Sequence, residues 1–207
     1  MALALTTAVL SGALAYALSA LAGRDARTVL EQASRLPLAL LAGVLAGLGS
    51  AIAEAWWSLP LVGVLAAFGV MLGAIDSRTR LLPNAMLVPF AAATLPLLVL
   101  AAAASGEWGS LLGAAAGGAG LFAVYFLLAL ISPAGMGMGD VKLAAVLGLF
   151  GGWAGYAAWM GTLLGGFLLG GLAGVAVLLL RRGSRNSTFP FGPGMLLAAF
   201  ASFVLLS

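Results

Sequence analysis

A chain of 207 residues that is 63% hydrophobic and only 7% charged lies far from the soluble average of about 45–50% and about 25%, which excludes a soluble globular fold. Nine Lys and Arg against six Asp and Glu give a net charge of +3; this excess reflects scarce acids and marks no nucleic-acid footprint. The absence of Cys and His removes zinc fingers, thiol nucleophiles, disulfides, Ser-His-Asp triads and haem ligation by His or Cys, leaving carboxylates, hydroxyls, Lys, Arg and backbone for chemistry.

A transmembrane helix needs about 20 apolar residues, and eight such spans are predicted, at 2 to 22, 36 to 53, 57 to 75, 84 to 104, 109 to 131, 141 to 159, 161 to 180 and 190 to 206. The runs do not alternate polar with apolar, so an all-α polytopic bundle is expected and not a barrel. The longest polar segment, Arg24 to Arg35, is too short for a folded unit, so residues 1–207 read as one integral-membrane domain. Arg24, Arg27 and Arg35 follow the first span, Arg78 and Arg80 the third, Lys142 the fifth, and Arg181, Arg182 and Arg185 the seventh. The alternate connections, near Glu54 to Trp57, Glu107 to Trp108 and Trp159 to Met160, carry Trp and no Lys or Arg. The positive-inside rule then places the basic loops in the cytoplasm and both termini outside. The first span has no basic residue before it, which favours a retained helix over a cleaved signal peptide. Gly43/Gly47, Gly113/Gly117 and Gly166/Gly170/Gly174 recur at four-residue spacing and are expected to let helix backbones approach closely.

Four of the six acids read as solvated loop charges: Asp25, Glu31, Glu54 and Glu107. Asp76 directly follows one apolar run and Asp140 directly precedes another, 140 − 76 = 64 residues later. Both therefore fall at the cytoplasmic edge, on different helices. Ionisable groups there are costly and carry a functional expectation, against the alternative that each merely caps a helix.

The segment from Ser132 to Asp140 has Gly at 135, 137 and 139, a backbone free to approach another chain and suited to an extended peptide. It lacks the Gly-Lys-Ser/Thr ending of a phosphate-binding loop, and Asp140 would repel a phosphate. Two carboxylates brought within a few ångströms do not both ionise cheaply, so one keeps a proton and the other acts as a base. The ionised member takes a proton from water as it attacks a peptide carbonyl, and the protonated member hydrogen-bonds the developing oxyanion.

Three segments together resemble the type IV prepilin peptidases, membrane aspartic proteases of the GxGD type. Ala74 to Asn84 is similar to that family's Asp followed seven residues later by Pro and then Asp or Asn. Gly135 to Leu143, continuing through Gly148 to Trp153, resembles its longest motif. Pro190-Phe191-Gly192-Pro193 resembles the third. The resemblance covers about 57 to 206. It implies that Asp76 and Asp140 are the catalytic pair and that Gly137 and Gly139 shape the substrate loop. It also implies a substrate of the prepilin or pseudopilin class, cut at its leader on the cytoplasmic face of a bacterial inner membrane, in a pilus or secretion pathway. Members that also N-methylate the trimmed pilin carry paired Cys-x-x-Cys motifs after the first span. Here Arg24 to Arg35 stands in that place without Cys, so a peptidase without methyltransferase activity is expected.

Lys142 has two open readings, biasing the pair or binding an acidic substrate group on one side, and positive-inside anchoring on the other. Arg78 and Arg80 are read as topology anchors in preference to contacts with an acidic pilin residue or lipid phosphate; Pro190 to Pro193 borders the cleft or turns the chain into the membrane, with no direct catalytic part expected. Met136 and Met138 fit either an adaptable apolar lining of a leader-binding groove or the ordinary use of Met in membrane interiors, and are not counted as site residues. No metal or cofactor is expected, since an aspartyl pair needs none; membrane lipid and the leader peptide are the expected partners. The rivals are a transporter or proton-coupled channel, which would place the acids near the bilayer midplane, and a catalytically inactive assembly scaffold, which would tolerate Asp→Asn.

Overall fold

The computed structural model describes residues 1–23, 31–53, 55–131, 136–179 (side chains through 172) and 190–206. Arg24, Asp25, Arg27, Glu54, Ser132 to Gly135, Arg181, Arg182 and Arg185 lie outside the described residues, as do the surroundings of Gly174. The described residues form helices α1 (Ala2–Ala22), α2 (Gln32–Ile52), α3 (Leu59–Thr79), α4 (Asn84–Ser105), α5 (Gly109–Ile131), α6 (Met138–Ala154), α7 (Tyr156–Leu179) and α8 (Gly192–Leu206), with a short 3₁₀ turn at Trp56–Ser58 and no strand among them. Five stretches, α1, α2, Trp56–Thr79, α4 and α5, are long and apolar enough to cross a membrane; Tyr156–Leu172 and Gly192–Leu206 are shorter apolar helices.

Helix ends follow local chemistry. Pro60 in the first turn of α3 loses no intrahelical bond. Gly106 ends α4 in the left-handed conformation, with φ 78°. The sequence reading placed the turn between the sixth and seventh spans at Trp159 to Met160, and this is corrected. The chain breaks at Gly155, whose φ of 108° is one that side-chain-bearing residues rarely adopt. Trp159 instead lies inside α7 and donates its indole N–H to the Gly117 carbonyl at 3.0 Å. Two further ends moved: α3 runs on to Thr79 and α6 begins at Met138, so Asp76 and Asp140 sit within terminal helical turns and not beyond them. Arg35, expected in a loop, lies in the first turn of α2.

Helix α3 is the centre of the bundle, in contact with α1, α2, α4 and α8. Its Leu61, Leu65, Phe68, Met71, Leu72 and Ile75 are buried. Phe68 stacks on Phe90 of α4 at 4.9 Å, Phe90 meets Phe150 of α6 at 5.9 Å, and Phe150 meets Phe203 of α8 edge-on at 5.4 Å. This ladder ties the four helices whose ends form the site.

Small residues hold the remaining pairs together. In the α5–α6 seam a Cβ added at Gly113 or Gly117 would collide with the backbone of Gly152 or Gly148, and the reverse holds. A Cβ at Gly43 of α2 would stand 2.9 Å from the Ala8 carbonyl oxygen of α1. The expected use of four-spaced glycines in close packing is therefore observed for these sets.

Antiparallel neighbours bring the starts of α2, α4, α6 and α8 and the end of α3 to one end of the bundle. There Arg78 faces Glu31, Lys142 meets Asn84, and Leu82 touches Gly139. Trp56, Trp108 and Tyr156, all exposed, belong to the turns at the other end.

Candidate active site

Asp76 occupies the last turn of α3 and is only 4% exposed. A buried carboxylate needs donors, and its Oδ2 accepts the backbone N–H of Gly192, the first residue of α8, at 3.0 Å. A Cβ at Gly192 would stand 2.9 Å from that same oxygen, so only a residue without a side chain lets the amide come so close. The Asp76 carbonyl accepts the Arg80 N–H at 2.8 Å, and Arg80 closes the helix at φ 55°. Arg80 is the one residue other than Gly with positive φ among the described residues, a conformation that costs energy and clusters at functional sites.

Asp140 stands in the first turn of α6, half-buried. Its Oδ2 accepts the Gly137 N–H at 3.2 Å, and its own N–H donates to the Gly137 carbonyl at 3.1 Å. Helix capping, weighed as the alternative to function, is therefore a job Asp140 does perform. It does not exhaust the residue, because Asp140 and Asp76 line the same cavity of about 220 Å³. The rest of the wall comes from Arg80 to Leu82 and from Gly137 to Gly139. One oxygen of each is oriented by a backbone amide, so neither relies on a flexible side chain for its aim.

Gly139 explains how the two loops approach. A Cβ there would stand 2.8 Å from the Leu82 Cβ and 3.3 Å from its carbonyl oxygen. Gly137 supplies the amide for Asp140 from extended backbone. Lys142, with two readings open from sequence, donates its Nζ to Asn84 Oδ1 at 2.9 Å. That exposed bond braces the start of α6 to the start of α4 and so spans the loop from Arg80 to Pro83.

Arg78 and Arg80, read alike from sequence, separate. Arg78 points to α2, 3.9 Å from Glu31 and 3.1 Å from Ser34 Oγ, whereas Arg80 lines the cavity. Met138 also lines it, while Met136 packs against the core. Glu31 and Glu107 are exposed at opposite ends of the bundle, the latter accepting from Ser110 at 3.4 Å.

Sequence reasoning missed Gly192, Asn84 and Arg80 as members of the site. The available signal for Gly192 was its place in Pro190-Phe191-Gly192-Pro193, the third segment of the resemblance, from which no direct catalytic part was expected. For Asn84 it was the Pro83-Asn84 pair at the entry to a span, and for Arg80 it was the step from a helix to Leu81-Leu82-Pro83.

A family model described as the type IV leader peptidase family matches residues 63–179, which include both aspartates and the loop before α6. The chain is 37% identical over 191 residues to a prepilin leader peptidase/N-methyltransferase of Pseudomonas putida, covering 87% of this chain and 62% of that protein. Proteins of the same name from Neisseria gonorrhoeae (34% over 200 residues, 88% and 62%) and Dickeya chrysanthemi (34% over 182 residues, 78% and 58%) are similar to it as well. The chain thus spans less than two thirds of these relatives' length. No solved structure matches it.

Proposed function

The chain belongs to the type IV leader peptidase family, and from that premise we propose that it is a membrane aspartic endopeptidase in which Asp76 and Asp140 are the catalytic pair. The observation that carries this reading is the shared cavity: two carboxylates from helices 64 residues apart in sequence (140 − 76) line one small space beside a glycine-rich loop. One member keeps a proton and the other is ionised, because two adjacent negative charges in a poorly solvated site are costly. The ionised carboxylate removes a proton from water as its oxygen attacks the scissile carbonyl carbon. The protonated member hydrogen-bonds the carbonyl oxygen as it becomes an oxyanion, and the carboxyl that took the water's proton gives it to the leaving amine as the C–N bond breaks, which restores the pair. The amides of Gly192 and Gly137 hold the two groups in the required orientation throughout.

The substrate class follows from the family and the names of the relatives: the N-terminal leader of a prepilin or pseudopilin, cut at the cytoplasmic face of a bacterial inner membrane. Arg78, Arg80 and Lys142 at the site's end of the bundle support that side by the positive-inside rule. Gly137 offers extended backbone beside the cavity for an extended peptide, and Gly139 shapes the loop by letting it close on Leu82. Lys142 acts as a brace within the site, and residues 1–207 work as one membrane unit. The region between α1 and α2 holds no Cys, which supports peptide cleavage without methyl transfer.

Co-expression with a tagged prepilin from the same source, read by gel shift and by the N-terminal mass of the product, tests this proposal. Removal of the leader at a single junction is expected. An intact precursor beside a well-inserted protein, for every pilin-like precursor of that source, would overturn it.

A further inference from the structure

A tyrosine hydroxyl within an apolar bundle calls for a polar partner, because hydrocarbon offers none. Tyr125 of α5 is 1% exposed. Its ring stacks on Phe167 of α7 at 5.1 Å and 15°, and Phe191 meets it edge-on at 6.4 Å. These contacts ask only for an aromatic ring, and phenylalanine would satisfy them.

The hydroxyl has accommodations of its own. A Cβ at Gly166 of α7 would stand 3.0 Å from its oxygen, so the facing helix is kept bare where the hydroxyl lies. The register that sets Gly113 against Gly152 and Gly117 against Gly148 brings Tyr125, two turns further along α5, level with Asp140 at the start of α6. The ring also reaches the other carboxylate through one intermediary, since Phe191 is chain neighbour to Gly192, whose amide holds Asp76. Of the described elements around it, α6 contributes the charges of Asp140 and Lys142 and α3 with its cap those of Asp76, Arg78 and Arg80; α4, α5, α7 and α8 contribute none, and Tyr156 of α7 lies at the far end.

We propose that Tyr125 is a positioning residue for the aspartate pair: its hydroxyl donates a hydrogen bond to the Asp140 carboxyl as the site closes on substrate, and its ring steadies the Phe191-Gly192 segment against Asp76. Catalytic hydrogen bonds commonly tighten only when substrate is bound. The proposal rests on the reading of Asp76 and Asp140 as the catalytic pair.

Tyr125→Phe is the informative variant because it keeps the ring and removes only the hydroxyl. With purified full-length protein and a prepilin substrate, kcat is expected to fall about 10- to 100-fold while KM stays within about two-fold. Tyr125→Leu, which also loses the stacking, is expected to lower thermal stability as well. A second readout does not depend on turnover: carbodiimide labelling of Asp140 followed by mass spectrometry across pH. Its midpoint is expected to move by about half a pH unit or more in Tyr125→Phe and to stay in place in Phe122→Leu, a change on the same helix away from the site. Wild-type kcat in Tyr125→Phe, or a kcat loss matched by an equal loss of folded protein, overturns the proposal. If the wild type cleaves no prepilin, the reading of the pair as catalytic fails separately. The labelling then decides alone, an unmoved midpoint overturning the Tyr125–Asp140 link and a displaced one supporting it.

Discussion

Glycine serves opposite purposes in two regions of this molecule. In the α5–α6 seam, Gly113, Gly117, Gly148 and Gly152 remove side chains so that two helix backbones can touch, and nothing chemical is offered there. At the cavity, Gly192 removes a side chain so that its amide can reach Asp76, Gly139 removes one so that the loop before α6 can approach Leu82, and Gly137 offers its amide to Asp140. The seam uses the missing Cβ for van der Waals contact, which drives helix association in lipid where no hydrophobic effect does. The site uses it to expose N–H groups that orient two acids. The same residue type therefore serves backbone packing in one place and the cavity beside two carboxylates in the other.

That contrast can be broken or sharpened by substitution. The largest effect is expected in the seam. Gly117→Val puts a branched side chain against the Gly148 and Gly152 backbone, which, unlike a side-chain end, has no rotamer to move. Such overpacking costs about 1–3 kcal/mol or more, and the expected outcome is loss of the monodisperse folded protein in detergent, seen by size exclusion and thermal unfolding. A well-folded Gly117→Val would show the seam to be looser than described.

Next comes Gly192→Ala. The new methyl would crowd Asp76 Oδ2 and displace the carboxyl from the amide, and a misplacement of about 1 Å costs about 100-fold in rate. Cleavage is expected to fall about 10- to 100-fold with the melting temperature nearly unchanged. A loss of stability in place of activity would move Gly192 into the seam's class. Gly139→Ala follows, with an expected loss of about 10-fold, because its nearest obstacle is the Leu82 side-chain base and the loop from Arg80 to Pro83 can shift.

The smallest effect belongs to the brace. Asn84→Ala and Lys142→Ala each remove one exposed hydrogen bond, of a kind worth about 1 kcal/mol or less. Each is expected to lower kcat/KM by about two- to five-fold. The double variant is expected to be no worse than either single one, since both break the same bond. Additive losses would show that the two side chains act separately.

Much of this was readable from the residues. The eight α-helices among the described residues were legible because long apolar runs are separated by charges and turn residues, while five stretches reach the length and apolarity that crossing a membrane needs. Asp76 and Asp140 stood out because so few acids are present that each one's position against the apolar runs could be weighed. The break at Gly155 was not legible: Trp159 looked like an interfacial anchor, and only the packing of its indole against Gly117 shows why it belongs inside α7. The true ends of α3 and α6 were missed because a helix continues through polar residues as long as its backbone bonds are satisfied, whereas hydropathy stops at the first charge. Gly192 was missed because its contribution is a backbone amide 116 residues from Asp76 in sequence, and an amide leaves no mark on residue identity. The Lys142–Asn84 bond, across 58 residues, pairs two residues that each had a sufficient local explanation.

The central claim is that Asp76 and Asp140 act as one unit, and prepilin cleavage by Asp76→Asn, Asp140→Asn and the double variant, each confirmed to be inserted and folded, tests it most directly. Groups that work as a unit are strongly non-additive. The account predicts that either single change abolishes leader removal and that the double variant is no worse; leader removal that survives in either single variant contradicts it.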